Sequence, residues 1–303
     1  MIGRTNFITE ACWADIMLIW FVLIDDAYQV LEQQYGAWRR RGPAPQFYDS
    51  EVITVALLID TFFHGHEALG LSFVRQYQAE GFPKLPSDGH FNERRTQLGP
   101  LIDQIRRQIT GQAGLLDSED AVRLIDSAPI FVATYGRGGS NQTLTGSEYF
   151  GVAKSQGAKV FGLRLTITTT TDQVLDRWML APASCHASST LSAALAETTD
   201  CLVLGDGAYH NPTTEALLRD RQSIDLLAPP RQDSRQPWPS ASRQLVNRVR
   251  RRIETALSVL ATVFDVEHPR ARSLHGLVSR ISTRLLAYNL CFLMDNYLAQ
   301  LPS

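Results

Sequence analysis

The N-terminal part of the chain carries its apolar residues at helical spacing, and from Ala121 the texture changes to short β-branched runs. Residues 8 to 34 read as one helix closed by Gly36, followed by a basic linker, Arg39-Arg40-Arg41-Gly42-Pro43. A second helix starts where Asp49 and Ser50 can cap and Glu51 meets the positive end of the dipole; residues 52 to 63 are almost all apolar, and Gly65 ends it. A third covers residues 69 to 78 and is broken by Gly81-Phe82-Pro83. Ser87 and Asp88 can cap a fourth, bearing His90, Phe91, Asn92, Arg94 and Arg95. Helix, break, then a helix with Asn and Arg in its first turns resembles a helix-turn-helix, which makes Arg94 and Arg95 candidate DNA contacts. The turn is longer than usual, and the plainer reading is a bundle helix with exposed polar residues.

Beyond residue 120 the pattern predicts strands at 121–125, 160–171 and 174–180, the last two paired across Thr171-Asp172-Gln173. A helix at 190–198, a buried strand at 201–204, a helix at 212–219 and a strand at 224–227 follow. A polar loop (229–240) leads to a long helix at 242–264 and a last one at 277–298. Three strands first and alternation afterwards give an α/β fold: a mixed five-stranded sheet flanked by helices, preceded by an all-α N-terminal domain. The expected domains are 1–115 and 116–303. The Gly- and Ser-rich stretch from Gly136 to Gly157 reads as a loop of unassigned role.

Three carboxylates occupy special places in this layout. Asp126, in Ile-Asp-Ser-Ala-Pro, follows the first strand, and Asp206, in Gly-Asp-Gly-Ala-Tyr, follows the strand at 201–204. A carboxylate at a buried strand end is costly without a cation or a hydrogen-bond donor. At about 100° per residue, Val246, Val249, Ile253, Leu257 and Leu260 form one apolar stripe, and Glu254 falls beside it with Arg250 one turn earlier. Hard divalent ions take carboxylate oxygens, and two such ions can activate a nucleophile and stabilise the leaving oxygen in phosphodiester chemistry. Singly, each residue has a plain reading: a turn cap for Asp126, a Gly-Asp-Gly turn for Asp206, an i,i+4 partner of Arg250 for Glu254.

Composition changes the picture in one respect. The net charge is -2, so the whole protein is no basic cloud, yet residues 231 to 284 hold eleven arginines against four acids. Within that stretch Arg248, Arg250, Arg251 and Arg252 suit phosphate contacts, and Trp238, between two prolines, could stack on a base or simply pack against its domain. The four cysteines show no zinc-type spacing and no disulfide framework, and the run Trp13 to Ile24 is too short to span a bilayer, so a cytoplasmic protein without a membrane role is expected. His64-Gly65-His66-Glu67 reads as a helix end rather than a metal cluster, and His210 as a turn residue or a neighbour of Asp206. No Gly-x-Ser-x-Gly elbow or Walker loop is present.

With Asp126, Asp206 and Glu254 in this order and context, the chain resembles the DDE transposases of bacterial insertion sequences, which share the RNase H-like fold with retroviral integrases. The resemblance covers most of residues 120 to 295, and the segments Tyr48-Asp49-Ser50-Glu51 and Leu85-Pro86-Ser87 through Asn92 add to it. It implies Asp126, Asp206 and Glu254 as catalytic metal ligands for two Mg²⁺ or Mn²⁺ ions. It implies cleavage at terminal inverted repeats and joining of the 3′-hydroxyl to target DNA, by a homodimer or higher oligomer on double-stranded DNA. Some relatives place Tyr, Arg and Lys around the glutamate; here those offsets hold Asn247, Arg250 and Ala261. A nuclease of the same fold that does not join strands, and a non-catalytic DNA-binding descendant, are the competing readings.

Overall fold

The computed structural model describes residues 10–38, 45–117, 121–153, 157–230 and 238–299. The chain forms two compact units, Met1–Ala113 with Leu274–Cys291, and Gly114–Ser273 with Phe292–Ser303. The basic run at Arg39 to Arg41 and most of the 229–240 loop lie outside the described residues.

The first unit is helical: α1 (Glu10–Tyr35), α2 (Asp49–Phe62), α3 (Glu67–Tyr77), α4 (Asp88–Gln97), α5 (Gly99–Gln112) and the beginning of α9 (Leu274–Ala299). Gly36 closes α1 at φ 81, the left-handed value that favours glycine there. At the start of α2 the cap falls one residue earlier than expected: Tyr48 is the N-cap, and its N–H donates to Glu51 Oε2 at 2.5 Å. Helix α5 lies in the stretch between the fourth predicted helix and the first predicted strand, to which the sequence pattern assigned no element. Pro100 stands in its first turn, where no N–H is needed, and Leu101, Ile102, Ile105 and Ile109 are buried. Residues 116 to 303 therefore do not form one unit, because residues 274–291 of α9 group with the N-terminal helices.

A charged network lies inside this helical unit. The Asp60 side chain is fully buried, pairs with Arg95 and lies 3.7 Å from Arg280. Glu67 takes both arginines at 3.2 Å, and Arg280 also donates to Gly65 O at 3.0 Å. Burial, then the neighbouring Arg95, pulls Arg280 down to about 10.

In the second unit, β1 (Val122–Ala133), β2 (Phe150–Ala153), β3 (Ala158–Thr170), β4 (Leu175–Pro182), β5 (Cys201–Leu204) and β6 (Ile224–Leu227) form one sheet. The order β3-β1-β5-β6 has β1 antiparallel to β3 and parallel to β5, with β4 antiparallel on the other edge of β3. This is the RNase H-like arrangement expected, three antiparallel strands and then two parallel ones reached through helices. The short β2 adds a sixth strand beside the start of β3, within the stretch read as loop.

Helices α6 (Ala187–Ala194) and α7 (Pro212–Gln222) bury Leu191, Leu195 and Leu218 against Ile125, Val203 and Leu226. Side chains alternate along a strand, so Asp126 turns to the opposite face from Ile125, where α8 (Ser240–Thr262) reaches it.

Strand β1 is longer than predicted and runs through Asp126 and Pro129. Pro129 is tolerated because β5 pairs only as far as Leu124, which leaves the later edge of β1 open. Phe131, two residues on and of the same parity, turns its N–H away from β3 to Glu267 O at 2.8 Å. Among the described residues no single helix is long and apolar enough to cross a membrane.

Candidate active site

The register of the parallel pair sets the site. Leu124 is opposite Leu204, the last residue of β5, so Asp126 and Asp206 each stand two residues past the final pair, where the strands part. Open α/β sheets bind their ligands in the crevice outside such carboxyl ends. A cleft of about 750 Å³ opens there, lined by Asp126, Asp206 and Glu254 and by Arg164, His186 and Arg250.

Each aspartate is oriented by a backbone N–H close behind it. Ser127 N–H donates to Asp126 Oδ1 at 2.8 Å, and Ala208 N–H to Asp206 Oδ1 at 2.9 Å. The turn after Asp206 is tight, since a Cβ on Gly207 would come within 2.9 Å of Pro229 O. Burial pushes the Asp126 carboxyl up to about 6; the Ser127 N–H and Arg250 oppose the rise, and Asp206 and Glu254 add to it. The same burial raises the hydroxyl of Tyr209, whose ring belongs to the core under the site.

Helix α8 contributes differently from the sequence expectation. Its buried stripe is Val246, Arg250, Ile253, Ala256 and Leu260, so Arg250 belongs to the packed face and Glu254 stands at the margin with its side chain 56% exposed. Arg250 Nη2 lies 3.4 Å from Asp126 Oδ2 and 4.0 Å from Glu254 Oε1, tying two of the three carboxylates together. Among the described residues no three His, Cys, Asp or Glu side chains are gathered closely enough to chelate one ion as they stand.

The proposed DNA contacts divide. Arg95 is buried on Asp60 and Glu67, and Arg94 is held by Phe47 O and Asp49 Oδ1, both at 2.5 Å. Asn92 gives its side-chain N–H to Glu67 at 2.7 Å. The cationic residues of α4 thus brace the helical unit, and the helix-turn-helix reading loses the arginines it depended on. Arg248, Arg251 and Arg252 are all exposed, and Arg252 also donates to Thr171 O at 2.8 Å. Trp238 is half-buried. His210 Nδ1 lies 2.8 Å from Glu215, which supports its turn reading.

Sequence reasoning overlooked Arg164 and His186. Arg164 sits mid-strand in a β-branched run, and His186 lies in an ordinary helix start; the pairing of β3 with β1 brings Arg164 to this cleft, and the pairing of β4 with β3 brings the turn that carries His186. The hydrophobic pattern held no signal for either.

Residues 117–290, more than half of the chain, match the family model described as "Transposase DDE domain". No curated protein matches the chain. Two solved structures are similar to it at a low level. One is "Mos1 transposase paired-end complex with left transposon end", at 11% identity over 86% of this chain and 98% of that one, with a TM-score of 0.22. The other is "Crystal structure of a pre-cleavage Mos1 transpososome", at 10% identity over 95% and 98%, also with a TM-score of 0.22. A superposition that weak carries no argument, and the fold assignment stands on strand order and direction.

Proposed function

The chain belongs to the transposase DDE domain family, and from that premise we propose that it cleaves the ends of a DNA element and joins the freed 3′-hydroxyl to target DNA. The observation that carries this reading is the register: Asp126 and Asp206 stand together beyond the paired Leu124 and Leu204, with Glu254 of α8 on the same cleft.

The residues fit a divalent cation by donor chemistry. All three are carboxylates, and Asp126 is held above its ordinary range by desolvation and by its two acidic neighbours, a state that a cation relieves. Asp126, Asp206 and Glu254 would hold Mg²⁺ or Mn²⁺. A pair of such ions, when bound, supplies the Lewis acidity that activates the attacking hydroxyl and stabilises the leaving oxygen.

The chain's own residues prepare for this. Ser127 and Ala208 fix one oxygen of each aspartate, which sets the carboxylate planes before substrate arrives. Arg250 balances Asp126 and Glu254 from within the packed face of α8. Exposed Arg248 and Arg251 on the same helix would meet the backbone of double-stranded DNA, and a dimer or larger assembly would pair two element ends.

The test is cleavage of labelled DNA carrying the element's own ends, with and without Mn²⁺, comparing wild type with Asp206→Ala. Metal-dependent nicking that disappears in the variant is expected, with joined products once target DNA is added. Equal nicking by both proteins would remove Asp206 and this reading together; nicking without joining would reduce the protein to a nuclease.

A further inference from the structure

We propose that Arg164, with His186 as a second donor, forms a phosphate-binding subsite in the cleft that takes a non-bridging oxygen of the DNA backbone; the identity of the ligand as DNA rests on the function proposed above. Two arginines line this cleft, and they are used in opposite ways. Arg250 faces Asp126 and Glu254. Arg164 is half-buried, yet among the described residues no carboxylate pairs with it, although four acidic residues, Asp126, Asp206, Glu254 and Glu267, line the same cleft. A partly buried guanidinium without an acidic partner loses hydration and gains no ion pair, an arrangement that makes physical sense when an anion completes it.

The guanidinium is also held in a fixed pose. Nε donates to Cys185 O at 3.0 Å and Nη1 to Ser127 Oγ at 2.9 Å. Ser127 directly follows Asp126, so the arginine is anchored to the strand that bears the candidate ligand. Two of the five N–H groups are used, and the remainder, all of Nη2 included, are left for a ligand; this fork matches two phosphate oxygens.

His186 follows Cys185 in sequence and lines the same cleft. Its Nδ1 accepts from Ser188 N–H at 3.3 Å and lies 2.9 Å from Ser188 Oγ. A nitrogen that accepts a backbone N–H carries no proton, so the neutral ring bears its hydrogen on Nε2, a second neutral donor. A phosphate brought into a cleft lined by four acidic residues needs a compensating cation close by. Arg164 is the lining arginine whose charge is not already answered.

The experiment measures binding of a fluorescent DNA duplex by the full chain in Ca²⁺, as a function of salt. For Arg164→Gln we expect a loss of roughly ten-fold in affinity near physiological salt and a log–log salt slope smaller by about 0.9, the value of one phosphate left unneutralised. Arg164→Lys should keep the slope, and His186→Gln at pH 8 should lower affinity without changing it. One methylphosphonate linkage near the cleavage point should weaken wild-type binding and cost Arg164→Gln nothing further. Should Arg164→Gln fail to fold, phenylglyoxal labelling of the wild-type protein decides: Arg164 should react when free and be protected by saturating duplex.

A wild-type slope in Arg164→Gln, a methylphosphonate penalty that persists in it, or equal labelling with and without DNA would overturn the subsite. The two readings fail separately. Cleavage retained in Asp206→Ala sinks the transposase chemistry and leaves the slope to judge Arg164. Cleavage lost in Asp206→Ala with an unchanged slope in Arg164→Gln sinks only the subsite.

Discussion

Asp126 shows how one residue can work against folding. Its carboxyl is ordinarily near 3.8 and rises in the fold to about 6, first through burial. The folded protein therefore binds this proton more tightly than the unfolded chain does. Stability falls as pH rises from about 4 to about 6, and the cost is full above 6. Asp126→Asn removes it, so the variant should be more stable than wild type at pH 8 by on the order of 2–3 kcal/mol, shrinking toward zero near pH 4. Urea unfolding in EDTA at the two pH values measures this. An equal difference at both would mean the effect is packing rather than charge. A site that weakens its own fold in this way is the usual trade between stability and function.

At the scale of the element, α8 separates its cations by face. Arg250 is packed with Ile253 and Leu260, while Arg248 and Arg251 point outward. Replacing the two outward arginines with glutamine should lower the salt slope of DNA binding by about 0.9 for each phosphate the variant no longer neutralises, with no change in the urea midpoint. Loss of stability in the double variant would show instead that these side chains brace the fold. Helix α4 teaches the reverse. Arg94 and Arg95 have the composition of a recognition helix, but their guanidinium groups meet Asp49, Asp60 and Glu67. A basic residue on a helix reads the same in sequence whether its partner is a phosphate or a buried acid.

At the scale of the whole molecule, the chain leaves the helical unit and returns to it. Residues 274–291 supply Ser279, which donates to Arg95 O at 2.8 Å, and Arg280 on Gly65 O, Asp60 and Glu67, together with the buried Leu285 and Tyr288. A fragment of residues 1–115 lacks all of these. Removing one partner of a buried ion pair costs about 3–5 kcal/mol, which is comparable with the whole stability of many domains. Circular dichroism of the 1–115 fragment should show little cooperative unfolding, and a chimera carrying 274–299 after a flexible linker should regain it. A cooperative melt in the short fragment would make α9 dispensable to the unit.

What the sequence determined by itself is local. The strand and helix order around Asp126 and Asp206, the glycines that flank Asp206, and the amphipathic stripe beside Glu254 all follow from side-chain periodicity and from residues whose backbone preference is strong. The DDE family is legible for the same reason, since Asp126 and Asp206 follow apolar strand runs and Glu254 falls beside the apolar stripe of a helix. The tertiary structure alone decided which arginines face solvent, that α9 groups with the N-terminal helices, that β1 continues through Pro129 along an open edge, and that Arg164 and His186 reach the cleft. Each of these depends on what lies opposite a residue across a strand pair or a helix contact. Pairing and ion-pair formation join positions as far apart as Asp60 and Arg280, which local periodicity does not encode.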